Sequence, residues 1–433
     1  MKLARTLYAR YQSVLAQGLF LSVGLLLGRL SGFAREWMVA RKLSVSGDAD
    51  SFILALAFPD LLNNFISTAT LAVALYPLFR EGDKADRELL RSFSSVALKL
   101  AGVGYVALAV LVTFSYGKQP ELAGILLLSL LAVFPNVISA IAAALLQFHG
   151  KVRAQGLSTL VFNLVILVGL LLFSRLPLLV FFILLAALAR LAFLAYDAAP
   201  LVAQRGEPDR SETRVSFPAV GITLATAVAA QILSLATPFL DRFFASYGAS
   251  GSVAALSYAE KLYMLPGTVV LTVLPYVATP DVFRLASDEG SKERLRTYVR
   301  DILAIAFGLG AAATAALYLL ATPFTGLVFG SAGLSTDALA VISGCVRAYS
   351  GTLLFLGPLG LLSTVFLALG LRRELLVISV SCLLLKLALA YGCVLNGLGP
   401  QAIAFTTSIL SAVATIAYGF ALTKSFATPR RGL

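Results

Sequence analysis

What most constrains this chain is the recurrence of long apolar runs. A helix rising 1.5 Å per residue needs about 20 mostly apolar residues to cross hydrocarbon. Runs of that length follow one another along the whole sequence, separated by charged, Gly or Pro punctuation. Twelve can be marked, at approximately 13–40, 51–79, 92–115, 121–147, 154–174, 177–203, 218–246, 253–283, 299–321, 338–368, 374–395 and 400–423. Their apolar side chains exceed what one buried core of 433 residues could absorb, since 59% of residues are hydrophobic and only 13% charged. Mean hydropathy is +0.90. The surplus must face lipid, so the expected fold is an all-α polytopic membrane protein with twelve transmembrane helices. Met1 to Gln12 is basic, but the run after it is long and carries Arg29 and Arg35, with no small-residue cleavage site. It reads as a retained helix rather than a signal peptide.

The net charge of +12 does not point to nucleic acid, because the bases sit in short clusters between apolar runs instead of along one polar face. Counted over alternate connections and the two termini, one side of the membrane receives 22 Lys and Arg, and the other only Arg41, Lys42, Lys118 and Arg175. The positive-inside rule then predicts that both termini are cytoplasmic. Chemistry of other kinds has no foothold. His149 is the single histidine, and no HExxH, CxxC, GxSxG or P-loop pattern occurs, so a non-enzyme without metal or cofactor is expected. Cys345, Cys382 and Cys393 all lie inside apolar runs and read as packing residues.

The longest polar connection, Gln204 to Ser216, falls between the sixth and seventh runs. It predicts an N-terminal six-helix lobe over 1–204, a cytoplasmic linker over 205–217 and a C-terminal six-helix lobe over 218–433, around a central cavity. Proline echoes support a duplication. Pro59 and Pro77 precede one charged loop as Pro266 and Pro280 precede another, and Pro135 has a counterpart in Pro358. Facing halves of this kind bind substrate in the cleft between them, near mid-membrane.

Eight bases fall within the apolar segments: Arg29, Arg35, Lys99, Arg190, Arg242, Lys261, Arg347 and Lys386. Each costs roughly 2.5–3.5 kcal/mol on insertion scales unless it has a partner, water or a headgroup nearby. Acids in or beside the same segments are Glu36, Asp60, Asp197, Asp241 and Glu260. Two readings stay open for each base, an internal salt bridge or snorkelling on one hand and a wet, anion-binding cavity on the other. Lys99 and Arg242 lie near helix ends and suit the first. Arg29 and Arg35 are separated by about 240° around a helix, so they form no narrow stripe, and Glu36 can neutralise one of them locally. A bidentate guanidinium suits phosphate or diphosphate. Lys261 belongs to the other half and has Glu260 as its neighbour.

These residues carry a resemblance. GRLSGFAREWMVARKL, DADSFILALAFPDLLNNF and LAVALYPLFRE in the first eighty positions resemble the MurJ (MviN) lipid II flippase family of the multidrug/oligosaccharidyl-lipid/polysaccharide exporter superfamily. So do FPNVISAIAAALLQFHGKVRAQGLSTLVFNLVI, SVAALSYAEKLYMLPGTVVLTVLPYVATP and LVFGSAGLSTDA. The spacing Arg29, Arg35, Asp50 is the family's first-helix pattern. The resemblance implies two six-helix lobes around a cationic cavity. By alternating access these would carry an undecaprenyl-diphosphate-linked saccharide from the inner to the outer leaflet of the bacterial cytoplasmic membrane. It implies a substrate site containing Arg29, Arg35 and Asp50, with Lys261 where the family has an arginine.

The sequence also departs from the family. Asn63, followed by Asn64, stands where an arginine completes the diphosphate clamp, Asp60 replaces an asparagine, and Thr68 replaces a glutamate. The two extra C-terminal helices of lipid II flippases are expected to be absent. Either a lipid II-like cargo or an exopolysaccharide repeat unit is therefore implied, with Asn63, Asn64 and Asp60 hydrogen-bonding sugar or phosphate. Implied partners are the lipid-linked oligosaccharide, the bilayer and polysaccharide or peptidoglycan synthesis proteins, with no nucleic acid. Some relatives resemble sodium-binding transporters, with an Asp on helix seven matched by Asp241. Lys386 on helix eleven stands where an acid or amide is expected, so an Asp241–Lys386 ion pair and sodium-insensitive transport are predicted. The alternative function is an ion-coupled multidrug antiporter of the same superfamily, which would want acids lining its cavity. A further rival is a scramblase-like or scaffold subunit of a polysaccharide synthesis complex.

Overall fold

The computed structural model describes residues 24, 26–69, 87–149, 151–203, 233, 235–266, 273–287 and 292–427. Every regular element among them is helical, and eight helices are long and apolar enough to cross a membrane. The expected linker 205–217 lies outside the described residues, as do parts of the expected spans 13–40, 51–79, 218–246 and 253–283. The chain divides into two compact units. One comprises Met1–Lys42 and Leu54–Val228, and the other Leu43–Ile53 and Ala229–Leu433.

The first unit contains α1 (26–43) as far as Lys42, α2 (Gly47–Ala69) from Leu54 onward, α3 (Arg87–Tyr116), α4 (Pro120–Leu130), α5 (Val133–Phe148), α6 (Val152–Leu172) and α7 (Leu176–Ala203). Apolar attraction cannot drive helices together in lipid, so close backbone approach does the work. Gly24, Gly28 and Gly32 recur every four residues and form one face toward α6. A Cβ on Gly24 would meet the Gly156 backbone at 2.8 Å, and one on Gly28 would meet Thr159 at 3.0 Å. The expected span 121–147 is interrupted at Leu131–Ala132, between α4 and α5. Pro135 is the cause, because it has no N–H and its ring crowds the carbonyl four residues earlier. On α3, Val103, Val106, Val110 and Phe114 are exposed as a lipid-facing flank.

The second unit contains α8 (235–245), α9 (Ser252–Pro266), α10 (Val273–Ser287), α11 (Lys292–Phe329), α12 (Thr336–Ala368), α13 (Arg372–Leu395) and α14 (Pro400–Ala427). Helix α12 is central and packs against α9, α10, α11, α13 and α14. Its start is fixed by Ser335, whose side chain accepts from the Ala338 N–H. Val365 and Phe366 of α12 join Leu375 of α13 and Leu410 and Tyr418 of α14 in the apolar core. Helix α11 has 38 residues, about 57 Å at 1.5 Å per residue, so it outruns a hydrocarbon layer of about 30 Å.

Candidate functional site

In the first unit, the short spacing that the glycines permit sets Asn163 of α6 against α1. The Arg35 guanidinium donates through Nη1 to Asn163 Oδ1 at 3.0 Å and through Nη2 to Glu36 Oε1 at 2.9 Å. Asn163 Nδ2 in turn donates to Gly28 O and Ser31 Oγ, at 3.2 and 3.1 Å. Arg35 is buried, and its Nε has no hydrogen-bond partner among the described residues. Arg29, on another side of α1, is exposed and makes no ion pair among the described residues. At the end of α1, Lys42 Nζ donates to the carbonyl oxygens of Leu170 and Leu171, a cation at the C-terminal end of α6.

Along α2, residues 54–59 are buried, whereas Asp60 and Asn63 are half-buried and Asn64 is exposed. Asp60 exerts its charge on Arg190, which lies midway along α7 on the face that also buries Ala187 and Leu194.

In the second unit, Asp50 caps a helix distant in sequence. Its Oδ2 accepts from the Gly251 N–H and its Oδ1 from the Ala254 N–H, both at 2.7 Å, at the start of α9. A carboxylate suits the unpaired N–H groups and the positive end of a helix. Gly251 takes φ +90°, and a Cβ there would meet the Val45 side chain at 2.5 Å. Tyr258 adds a second tie by donating to Ser44 O at 3.0 Å. Asp50 precedes the span at 51–79, and burial pushes its carboxyl up to about 6, against backbone N–H groups that pull it down.

Deeper in the same unit, Lys386 of α13 is fully buried and ion-paired through Nζ with Asp241 Oδ1 of α8. The ammonium also donates to Thr406 Oγ1 at 2.6 Å and Thr407 Oγ1 at 2.8 Å on α14. Asp241 Oδ2 accepts from Tyr349 Oη of α12 and from Thr407 Oγ1, each at 2.8 Å. Four helices thus share one ion pair, and its other hydrogen bonds offset part of the cost of removing both charges from water. Next along α8, Arg242 Nη2 donates to Glu260 Oε2 of α9 at 2.5 Å. Glu260 therefore serves Arg242 and not its neighbour Lys261, which is half-buried and makes no ion pair among the described residues.

The structure thus brings Asp241 to Lys386 and Arg35 to Glu36, and leaves Arg29 and Lys261 without ion pairs among the described residues. Sequence reasoning missed Asn163, Tyr349, Thr406 and Thr407. The available signal was polarity inside apolar runs, as in VFNLVI and FTTSIL.

Known proteins resemble this chain over most of its length. The sequence profile described as Lipid II flippase MurJ matches residues 39–432. A probable lipid II flippase MurJ of Aquifex aeolicus (strain VF5) is 24% identical over 377 residues, 82% of this chain and 72% of that protein. A lipid II flippase MurJ of Burkholderia cenocepacia is 23% identical over 370 residues, 75% of this chain and 67% of that one. Among solved structures, a lipid II flippase MurJ in an inward closed conformation superposes with TM-score 0.73 at 20% identity, covering 94% of this chain and 89% of the other. An inward-facing multidrug resistance MATE family transporter reaches TM-score 0.71 at 18% identity, covering 95% and 98%. At such identities the superpositions speak for the fold. The profile match, which spans nearly the whole sequence, shows that this multi-pass membrane chain belongs to the lipid II flippase MurJ family, whose members are transporters and not enzymes.

Proposed function

We propose that the protein flips a polyprenyl-diphosphate-linked saccharide from the inner to the outer leaflet of the bacterial cytoplasmic membrane by alternating access, with both termini cytoplasmic. The observation that carries this reading is Arg29, an exposed guanidinium within the first apolar run that makes no ion pair among the described residues. In hydrocarbon such a group has a function or a wet environment, and a diphosphate matches its fork of donors. Arg35 adds positive charge on the same helix, and Lys261 is a further cation, half-buried and without an ion pair among the described residues. Asp60, Asn63 and Asn64 supply hydrogen bonds for sugar. The prenyl tail stays in lipid. A membrane potential positive outside favours outward passage of the anion by about 2.3 kcal/mol per charge per 100 mV. The cargo is either lipid II-like or an exopolysaccharide repeat unit, delivered from and to the enzymes that build that polymer.

The ion pair Asp241–Lys386 supports a coupling role in which the lysine ammonium takes the place of a free cation. Transport is then insensitive to sodium, and flipping rates that rise with sodium at fixed potential would overturn this.

The test is flipping of a fluorescent polyprenyl diphosphate saccharide in proteoliposomes. Arg29→Gln with Lys261→Gln should slow flipping about tenfold to a hundredfold, the equivalent of one or two charge-assisted hydrogen bonds. Unchanged flipping rejects the reading. Complementation of cells depleted of their lipid II flippase then separates a lipid II cargo from another glycan.

A further inference from the structure

The second unit carries a half-open cavity of about 390 Å³, lined by residues of α8, α9, α10, α12, α13 and α14. Its polar inventory is one-sided. Asp241 and Glu260 reach the wall, and no described Lys, Arg or His does. The cations that balance them, Lys386 and Arg242, stand behind the carboxylates and outside the lining. The field inside the cavity is therefore negative even though the surrounding cluster is neutral, since the carboxylates are nearer to any occupant than their counter-charges.

The hydroxyls on the wall sharpen this. Thr237 Oγ1 donates to Leu233 O at 2.5 Å, Ser363 Oγ to Leu359 O at 2.8 Å and Ser411 Oγ to Thr407 O at 2.9 Å. With their protons spent inside their own helices, they offer an occupant only lone pairs. Tyr263 differs. It is 4% exposed, its ring stacks on Tyr349 with centroids 4.8 Å apart, and its hydroxyl has no hydrogen bond to any described residue. Leu356, Leu410 and Met264 complete an apolar body, with the rings of Tyr263 and Tyr418 at the wall. Such a chamber favours an occupant with an apolar frame and a head that donates hydrogen bonds and carries positive charge. An anion would face the two carboxylates, and a neutral alcohol would leave the negative field unused.

We propose that this cavity is a binding site for a monovalent hydrophobic organic cation whose ammonium N–H groups donate to Glu260 and the wall hydroxyl oxygens, with Tyr263 Oη completing the contact. The site draws on none of the residues assigned to the diphosphate, although Asp241 on its wall is also the acid of the proposed coupling pair.

The experiment uses the full chain in lipid nanodiscs and three near-isosteric probes, 4-phenylbutylammonium, 4-phenylbutanol and 4-phenylbutyrate, titrated by calorimetry. The ammonium should bind about tenfold or more tighter than the alcohol, a difference of about 1.4 kcal/mol, and the carboxylate should not bind. Ser363→Leu fills the cavity without touching a charge and should abolish ammonium binding. Glu260→Gln should remove the preference for the ammonium over the alcohol, and the Ser363→Leu arm decides the matter should the Gln variant fail to fold. Equal affinity for ammonium and alcohol, or ammonium binding that survives Ser363→Leu, overturns the proposal. Flipping by the wild-type chain is scored separately, so failure of either reading leaves the other measurable.

Discussion

Arg35 in the first unit and Lys386 in the second are both buried cations in apolar helices, yet they are held in different ways. The acid for Arg35 is its own chain neighbour Glu36, and the Asn163 amide ties Arg35 to α6. The acid for Lys386 lies on α8, with Thr406 and Thr407 of α14 and Tyr349 of α12 closing the shell. The first ion pair lies within α1 and leaves Arg35 Nε without a hydrogen-bond partner among the described residues. The second exists only when four helices are in register. The guanidinium is thus held between two helices, whereas the ammonium's shell is shared among four.

The comparison is broken most directly at Lys386. Lys386→Met leaves Asp241 as an uncompensated buried charge and should cost about 3–5 kcal/mol, with Asp241→Asn/Lys386→Met recovering much of the loss. Thermal unfolding in detergent measures both. A single-variant loss no larger than that of Glu36→Gln would erase the distinction between the units. A smaller effect, about 1–3 kcal/mol, is expected for Gly24→Ala, because the new methyl meets the Gly156 backbone at 2.8 Å and backbone cannot rotate away. That variant sharpens the contrast by showing that α1 is held through close packing, whereas α13 is held through charge.

Smaller again is Asp50→Asn, about 1 kcal/mol for weakening a helix cap. It also carries a pH signature. The folded-state Asp50 carboxyl is raised to about 6 by burial, so the folded protein holds this proton more tightly than the unfolded chain does. The resulting contribution is full below the ordinary carboxylate range and is lost as pH rises through 6. Unfolding temperature against pH should show that decline in the wild type, and Asp50→Asn should remove it.

Much of the fold was legible because hydrocarbon imposes its own arithmetic on sequence. Apolar runs of spanning length mark helices without reference to tertiary contacts. The break at Leu131–Ala132 was harder to read, since the run is apolar throughout and only Pro135 marks where the hydrogen-bond ladder fails. In the candidate site, Asp241 could be nominated because the family resemblance places an acid there, and Lys386 because it is a lone charge of opposite sign in an apolar run. The partner of Glu260 could not. Glu260 and Lys261 are adjacent in sequence, but neighbours on a helix point about 100° apart, and Glu260 is paired with Arg242 of α8.

By itself, the sequence determined that this is a multi-pass helical membrane protein and which side chains are out of place in lipid, because length, apolarity and charge are properties of single segments. Only the tertiary structure decided which charge answers which, that Asp50 caps α9, and that carboxylates rather than their counter-ions face the second unit's cavity. Those outcomes depend on distances of a few ångströms between helices far apart in the chain, and in a low-dielectric interior such distances govern the energy of every charge.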